Sequence, residues 1–150
     1  MKKSYFTDNS IQTKKLGEDV AKKFLKSGQG KDALVLGLIG DLGGGKTTFL
    51  QGFARGLGIK QKITSPTFVI MKKFPIYHAP FSDFYHVDCY RIGKPKEILD
   101  LGLKEIVLNP KNIVAVEWAD KIRKALPKDI VILRFGFINK NKRKIVVEWK

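Results

Sequence analysis

Residues 33–57, ALVLGLIGDLGGGKTTFLQGFARGL, decide the fold of this chain. The run Ala33 to Ile39 is short and almost wholly apolar, a pattern typical of a strand buried on both faces of a sheet. A helix is predicted from near Lys46 to about Leu57, where neighbouring glycines give a stop signal. A cluster of glycines lies between these two elements. The stretch therefore predicts a strand, a glycine loop and a helix in succession.

The glycine loop matches a phosphate-binding motif. Residues 40–47, GDLGGGKT, satisfy the pattern G-x-x-x-x-G-K-[ST], here called the phosphate loop. Its glycines let several backbone N–H groups point inward at the positive end of the following helix, which makes an anion nest. Lys46 would reach the β- and γ-phosphates, the Thr47 hydroxyl would ligate Mg²⁺, and Thr48 would add a hydroxyl near the α-phosphate. The predicted nucleotide-binding residues of this segment are Asp41, Gly43, Gly44, Gly45, Lys46, Thr47 and Thr48.

A glycine-rich turn without a ligand is the alternative interpretation of this motif. Ordering three successive glycines costs more backbone conformational entropy than ordering other residues. A plain turn does not require three glycines, so it does not explain this cost. That alternative also leaves Lys46 without a role. The sequence therefore predicts nucleotide binding.

Two acidic residues follow predicted strands further along the chain. The strands expected at 84–90 and 113–118 reach Asp88 and Glu117 near their carboxyl ends. Ligands of open α/β sheets bind at that edge, so both acids are candidates for the magnesium shell or for orienting an attacking water. Either one alone is explained equally well as an ordinary strand-end carboxylate. Asp41 is a third acid, placed either near the γ-phosphate or in a hydrogen bond to the loop backbone.

The rest of the chain predicts an α/β fold with a mixed sheet. The elements expected are an extended start around Tyr5 and Phe6, a helix capped by Ser10 and ended by Gly28 and Gly30, a helix over Lys96 to Leu108, and a C-terminal antiparallel hairpin of Ile130 to Phe137 with Ile145 to Trp149. No repeat or linker divides the sequence. We expect residues 1–150 to form a single domain.

The composition argues against a membrane protein and against a disulfide-bonded protein. The apolar runs are too short to span a bilayer and the N-terminus lacks a signal-peptide core, which predicts a soluble intracellular protein with no membrane contact. Cys89 is the one cysteine, so no internal disulfide is possible.

The formal charge of +15 favours contact with polyanions such as nucleic acid. A solvated lysine surface explains it better, because the charges are dispersed apart from the run Lys140 to Lys144.

Two further features carry weak signals. The segment Thr64 to Phe68 holds three hydroxyls around a proline, where a nucleotide-sensing segment would lie, although the pattern alone favours a plain proline turn. His78 and His86 are isolated in the sequence and have no metal-ligand spacing, so we assign them no catalytic role.

Taken together, these motifs resemble the TsaE family, formerly YjeE, of bacterial ATPases. Family members are required for threonylcarbamoyl modification of the adenosine next to the anticodon in tRNA. The resemblance rests on residues 40–49, 65–68, 86–91 and 116–118, in family order and at family-like spacing. It covers essentially the whole chain, and only the C-terminal hairpin matches loosely.

The resemblance implies a three-layer fold like that of the P-loop NTPases, with ATP or ADP and Mg²⁺ as cofactors, in the cytoplasm. It implies that Thr47 and Glu117 serve the magnesium ion and that Asp88 is needed for hydrolysis, with Lys46 on the phosphates. Ser65 to Phe68 would act as a switch. Two residues are expected near the base, Thr13 by resemblance and Arg134 as a guess.

The resemblance also implies partners. The threonylcarbamoyl transfer would belong to a TsaB–TsaD complex, which this chain would bind and reset by hydrolysing ATP. Contact with tRNA would be indirect, and direct contact through the basic surface stays open.

Two rival functions remain. A small-molecule kinase shares the phosphate loop, but such enzymes usually bring arginines on a lid, and the arginines here are scattered. A nucleic-acid-binding module with nucleotide as a structural ligand would use the basic run Lys140 to Lys144.

Overall fold

The computed structural model describes residues 1–41, 43, 45–64 and 70–149, and in these residues seven strands form one mixed sheet. The strands are β1 (Lys2–Thr7), β2 (Leu34–Gly40), β3 (Met71–His78), β4 (Phe81–Asp88), β5 (Asn112–Glu117), β6 (Val131–Phe137) and β7 (Arg143–Glu148). The helices are α1 (Ser10–Ser27), α2 (Lys46–Gly56), α3 (Pro95–Leu99) and α4 (Leu103–Leu108), with a 3₁₀ helix over Ala119–Ala125.

The order of strands across the sheet is β1-β7-β6-β2-β5-β4-β3. The four central strands β6, β2, β5 and β4 pair in parallel, whereas β3, β7 and β1 add antiparallel pairs on the two sides. Parallel strands end at the same edge of a sheet. The carboxyl ends of β2, β4, β5 and β6, namely Gly40, Asp88, Glu117 and Phe137, therefore share one edge.

A buried apolar cluster covers each face of the sheet. Leu36 and Leu38 of β2 pack into the cluster under α1 and α2, while Val35 packs into the opposite cluster with residues of α3, α4 and the 3₁₀ helix. All six residues of β5 are buried. A continuous buried run is what a central parallel strand with both faces covered requires.

Helices α1 and α2 approach each other closely through glycine. A Cβ atom on Gly52 would lie 1.9 Å from the Lys14 carbonyl oxygen, and one on Gly17 would lie 2.2 Å from the Phe49 carbonyl oxygen. Each glycine therefore leaves room for the backbone of the other helix. This contact positions the first turns of α1 beside the start of α2.

The mixed α/β fold is confirmed, and so are its principal elements. The buried strand before the glycines is β2, the helix after them is α2, and the C-terminal hairpin is the antiparallel pair of β6 and β7. The strands predicted at 84–90 and 113–118 are β4 and β5, which end slightly earlier than predicted, at Asp88 and Glu117. The extended start of the chain is β1.

Two local predictions were wrong, and one strand was not predicted. Asn9 caps α1 through its side chain, which accepts a hydrogen bond of 2.9 Å from the Gln12 N–H, so Ser10 is the first helical residue. The helix expected over Lys96 to Leu108 is two short helices, because Gly102 adopts a left-handed φ of 88° between them. Strand β3, an edge strand with exposed polar residues and Pro75, was missed.

In the part of the chain that the structure describes, no helix is both long and apolar enough to cross a bilayer.

Candidate functional site

The phosphate loop lies between the carboxyl end of β2 at Gly40 and the first residue of α2, Lys46. Gly43 and Gly45 have φ angles of 77° and 96°, which residues other than glycine rarely adopt. The Gly45 carbonyl accepts the first bond of α2, from the Phe49 N–H at 2.9 Å. The N–H groups of the first turn of a helix have no intrahelical partner, and such a helix start attracts anions. Leu42 and the predicted Gly44 lie outside the described residues.

The Lys46 side chain folds back against this loop. Residue Lys46 is 5% exposed. Its ammonium group donates hydrogen bonds of 2.6 Å to the Gly40 carbonyl and 2.8 Å to the Asp41 carbonyl. Burial lowers the pKa of Lys46, and the charges of Glu117, Asp41, Asp88 and Asp120 oppose that shift. The acids at this edge therefore act electrostatically on the lysine of the phosphate loop.

The two predicted strand-end acids occupy facing positions. Asp88 and Glu117 are register partners at the ends of β4 and β5, and Glu117 is also the register partner of Leu38 in β2. Glu117 is buried, whereas Asp88 is half-buried and its carboxylate accepts a hydrogen bond of 3.0 Å from the Tyr90 N–H. Asp41 is exposed.

His86 contacts the predicted metal ligand Glu117, although its isolated position in the sequence indicates no such partner. Its Nε2 atom lies 2.7 Å from the Glu117 Oε2 atom, and both side chains are buried. His86 is therefore not isolated in the fold. The sequence does contain a signal for this position of His86. His86 and Asp88 are two residues apart on one strand, so their side chains share a face of the sheet.

Thr13 of α1 lies beside the phosphate loop. Its hydroxyl is 2.8 Å from that of Thr7 at the end of β1, and both residues are buried. A Cβ atom on Gly45 would lie 3.7 Å from the Thr13 methyl carbon. The structure therefore brings Thr13 next to the loop, and its contact with a base stays a prediction.

An arginine of the hairpin also contacts the loop. Arg143 donates a hydrogen bond of 3.3 Å to the Gly43 carbonyl, and its guanidinium carbon lies 4.4 Å from the centroid of the Phe137 ring. Arg134, which the sequence analysis placed near the base, instead pairs with Glu148 at 2.9 Å. The base-contacting role of Arg134 stays a prediction, while the sequence analysis counted Arg143 only as part of the basic run.

Most of the predicted site residues converge on one sheet edge. Those at or next to the loop are Thr13, Asp41, Gly43, Gly45, Lys46, Thr47 and Thr48, with Asp88 and Glu117 on the adjacent strand ends. Thr47 and Thr48 are half-buried in the first turn of α2. The predicted switch, Ser65 to Phe68, lies outside the described residues.

The residues at this edge suit magnesium. The described residues contain no group of three or more His, Cys, Asp or Glu side chains arranged around a metal position. Magnesium does not need such a group, since it usually takes one or two protein oxygens and completes its shell with phosphates and water. The Thr47 hydroxyl and the Glu117 carboxylate are hard oxygen donors of that kind.

Comparison with known proteins assigns the family. The sequence profile described as "Threonylcarbamoyl adenosine biosynthesis protein TsaE" matches residues 7–145. The chain belongs to the TsaE family. Its TsaE relative in Bacillus subtilis (strain 168) is 43% identical over 133 residues, covering 87% of this chain and 77% of the relative. The relative in Rickettsia prowazekii (strain Madrid E) is 34% identical over 136 residues, 90% of each chain.

A solved structure of the family shares the fold. The crystal structure of Bacillus subtilis YdiB superposes with a TM-score of 0.74 and 32% identity, covering 98% of this chain and 84% of that one. The curated TsaE relatives are described as tRNA threonylcarbamoyladenosine biosynthesis proteins. The suspected resemblance to the TsaE family is therefore confirmed.

Proposed function

We propose that this chain is a magnesium-dependent ATPase of the P-loop class that serves threonylcarbamoyl modification of tRNA, the process named in its relatives. The observation that carries the proposal is the placement of Lys46. Its buried ammonium group lies against the phosphate loop and within the field of two strand-end acids, Asp88 and Glu117.

Lys46 would bind the phosphates by exchanging partners. Its ammonium group is held by two neutral carbonyl oxygens, those of Gly40 and Asp41. Charged phosphate oxygens are stronger acceptors than neutral carbonyls, because they add the attraction of opposite charges to the hydrogen bond. A nucleotide entering the loop would therefore draw the ammonium away from the carbonyls. The loop N–H groups and the start of α2 would bind the remaining phosphate oxygens.

Thr47 and Glu117 would hold a magnesium ion through their oxygens. Bound Mg²⁺ would supply charge neutralisation on the β- and γ-phosphates. Asp88 faces Glu117 across the strand ends and is half-buried, which suits a carboxylate that orients an attacking water. Asp41 is the alternative for that role, because it follows the loop's first glycine and its charge acts on Lys46.

ATP hydrolysis would have an accessory role in the modification of tRNA. We infer that the chain binds the TsaB–TsaD complex, which carries out the transfer, and that ATP hydrolysis resets this complex between turnovers. The chemistry visible at the sheet edge supports hydrolysis, because its groups all suit phosphate, metal and water.

The test is ATP hydrolysis by the purified chain, alone and with a TsaB–TsaD pair from the same source. Lys46→Ala should abolish nucleotide binding and hydrolysis, whereas Lys60→Ala, at an exposed lysine beyond α2, should leave both unchanged. Stimulation by the pair that disappears in Lys46→Ala would support the whole proposal. Unchanged affinity in Lys46→Ala would refute the nucleotide site.

A second result would separate the rival activities. Nucleosides and small hydroxyl acceptors should receive no phosphoryl group from ATP in the presence of this chain. A phosphorylated acceptor would show a kinase and contradict the accessory role. Binding of nucleotide without any effect of the TsaB–TsaD pair would preserve the phosphate loop assignment and overturn the partner.

A further inference from the structure

We infer that His86 is a positioning residue that holds the Glu117 carboxylate ready for Mg²⁺. The inference rests on the proposed function and gives a role to a histidine that is isolated in the sequence. It starts from one contact, the 2.7 Å approach of His86 Nε2 to Glu117 Oε2.

The strand arrangement explains why this contact forms. β4 and β5 are parallel, with His86 facing Ala115 and Asp88 facing Glu117. The side chains of all four residues lie on one face of the sheet, since each pair on a strand is two residues apart. His86 therefore lies one pleat behind the strand-end acids and reaches Glu117 diagonally.

Burial makes the contact strong and directional. The His86 and Glu117 side chains are 1% and 4% exposed, so water competes little for either group. An ionised carboxylate only accepts hydrogen bonds, which makes Nε2 the protonated nitrogen of the ring. His86 thus donates to one carboxylate oxygen and leaves the other oxygen of Glu117 free of this bond.

The second ring nitrogen of His86, Nδ1, also supports this role. The Nδ1 atom of His86 is buried and has no hydrogen-bond partner among the described residues. A buried polar atom without a partner is rare and costs about 1–3 kcal/mol. The one described polar contact of this ring is therefore with Glu117, which indicates that the ring is kept at this place for that contact.

Glu117 needs a hydrogen-bond donor such as His86 because the Lys46 ammonium group attracts its carboxylate. Its negative charge acts on Lys46, which lies over the ring of the next residue, Trp118. A glutamate with three rotatable bonds and no second partner would turn toward the ammonium group. A metal ligand is oriented by hydrogen bonds from outside the metal shell, and loss of one typically lowers metal affinity or activity by about 10- to 100-fold. His86 would supply that bond.

The experiment measures Mg²⁺ separately from hydrolysis. A fluorescent ADP is titrated into the full chain in EDTA and at increasing Mg²⁺ concentrations. His86→Leu should leave the affinity in EDTA within about twofold of the wild type and raise the Mg²⁺ concentration for half-saturation by about 10- to 100-fold. His86→Gln should restore most of the loss, because its amide N–H₂ can reach the same oxygen. His78→Gln, at the exposed histidine, is the matched control and should change neither quantity.

Each result decides the question. If folded His86→Leu needs no more Mg²⁺ than the wild type, the contact only joins β4 to β5 and the inference is wrong. If His86→Leu does not fold, His86→Asn takes its place, since its amide is too short to reach Glu117 and should show the same shift. Failure of the proposed function is distinguishable, because the wild type itself would then show no nucleotide binding or no effect of Mg²⁺.

Discussion

The ammonium group of Lys46 lies 4.6 Å from the centroid of the Trp118 ring. Trp118 follows Glu117 directly and has a φ of 59°, the one positive φ among the described residues other than glycine. Backbone conformations of this kind cost about 1–3 kcal/mol and cluster at functional sites. The sharp turn after β5 therefore places an aromatic face against the lysine of the phosphate loop, where a cation is attracted to the ring.

Trp118 should report nucleotide binding by its fluorescence. The ammonium group must leave the loop carbonyls to reach phosphates, which changes the charge next to the indole ring. We expect ADP to change the emission of the wild type and of Trp149→Phe, in which Trp118 is the only tryptophan left. Trp118→Phe should lose the signal while it still binds a fluorescent ADP. A full signal in Trp118→Phe would show that Trp149 is the reporter and would contradict this prediction.

Arg143 should support nucleotide binding from the hairpin. Its hydrogen bond to the Gly43 carbonyl and its packing on Phe137 join the tip of the β6–β7 hairpin to the phosphate loop. Arg143→Gln should weaken fluorescent ADP binding about fivefold, which corresponds to one exposed hydrogen bond of about 1 kcal/mol. Arg134→Gln, which breaks only the exposed pair with Glu148, is the matched control and should bind normally. A larger loss in Arg134→Gln than in Arg143→Gln would restore Arg134 as the base contact.

Gly52 should be intolerant of any side chain. A Cβ atom there meets the Lys14 backbone at 1.9 Å, so α1 and α2 would have to move apart. We expect Gly52→Ala to lower the free energy of unfolding by about 1–3 kcal/mol or more, as overpacked cores do. Gly30→Ala is the control, because a Cβ atom on Gly30 meets nothing within 4 Å. Urea denaturation of both variants measures the difference, and equal midpoints would contradict the close packing of the two helices.

Cys89 should be unreactive in the folded protein. Burial, with the negative charge of Asp88 as the next cause, raises the pKa of the Cys89 thiol to about 12. An exposed thiol has a pKa of about 8.5, so the native thiol stays protonated where an unfolded one ionises. A thiol reagent at pH 8 should label the chain in denaturant and label the native protein far more slowly. Because Cys89 is the one cysteine, fast native labelling would directly contradict its burial.

The same pKa shift predicts how stability changes with pH. The folded pKa lies above the unfolded one, so the stabilising contribution of the protonated thiol is complete below about pH 8.5 and is lost as pH rises toward 12. The free energy of unfolding should therefore fall more steeply over that window in the wild type than in Cys89→Ala. Parallel curves for the two proteins would show that the thiol does not contribute.

Local sequence by itself determined the strand, loop and helix around Lys46. The apolar run, the glycines and the spacing of the phosphate motif are properties of neighbouring residues, so they can be read without knowing the rest of the fold. The strand-end position of Asp88 and Glu117 was predictable for the same reason. The break at Gly102 was not, because a single glycine in a helical pattern is compatible with either a bend or a continuous helix.

Only the tertiary structure decided which distant residues meet at the sheet edge. The contacts of His86 with Glu117, of Arg143 with Gly43 and of Thr13 with Thr7 depend on how parallel strands are registered and how a hairpin tip and α1 fold over the loop. Arg134 lies in a predicted strand and Arg143 in the basic run, and neither position predicts the partner that the fold provides, Glu148 for the first and the phosphate loop for the second. The physical reason is that strand register and helix packing are set by the whole core, whereas a motif records only the residues next to it.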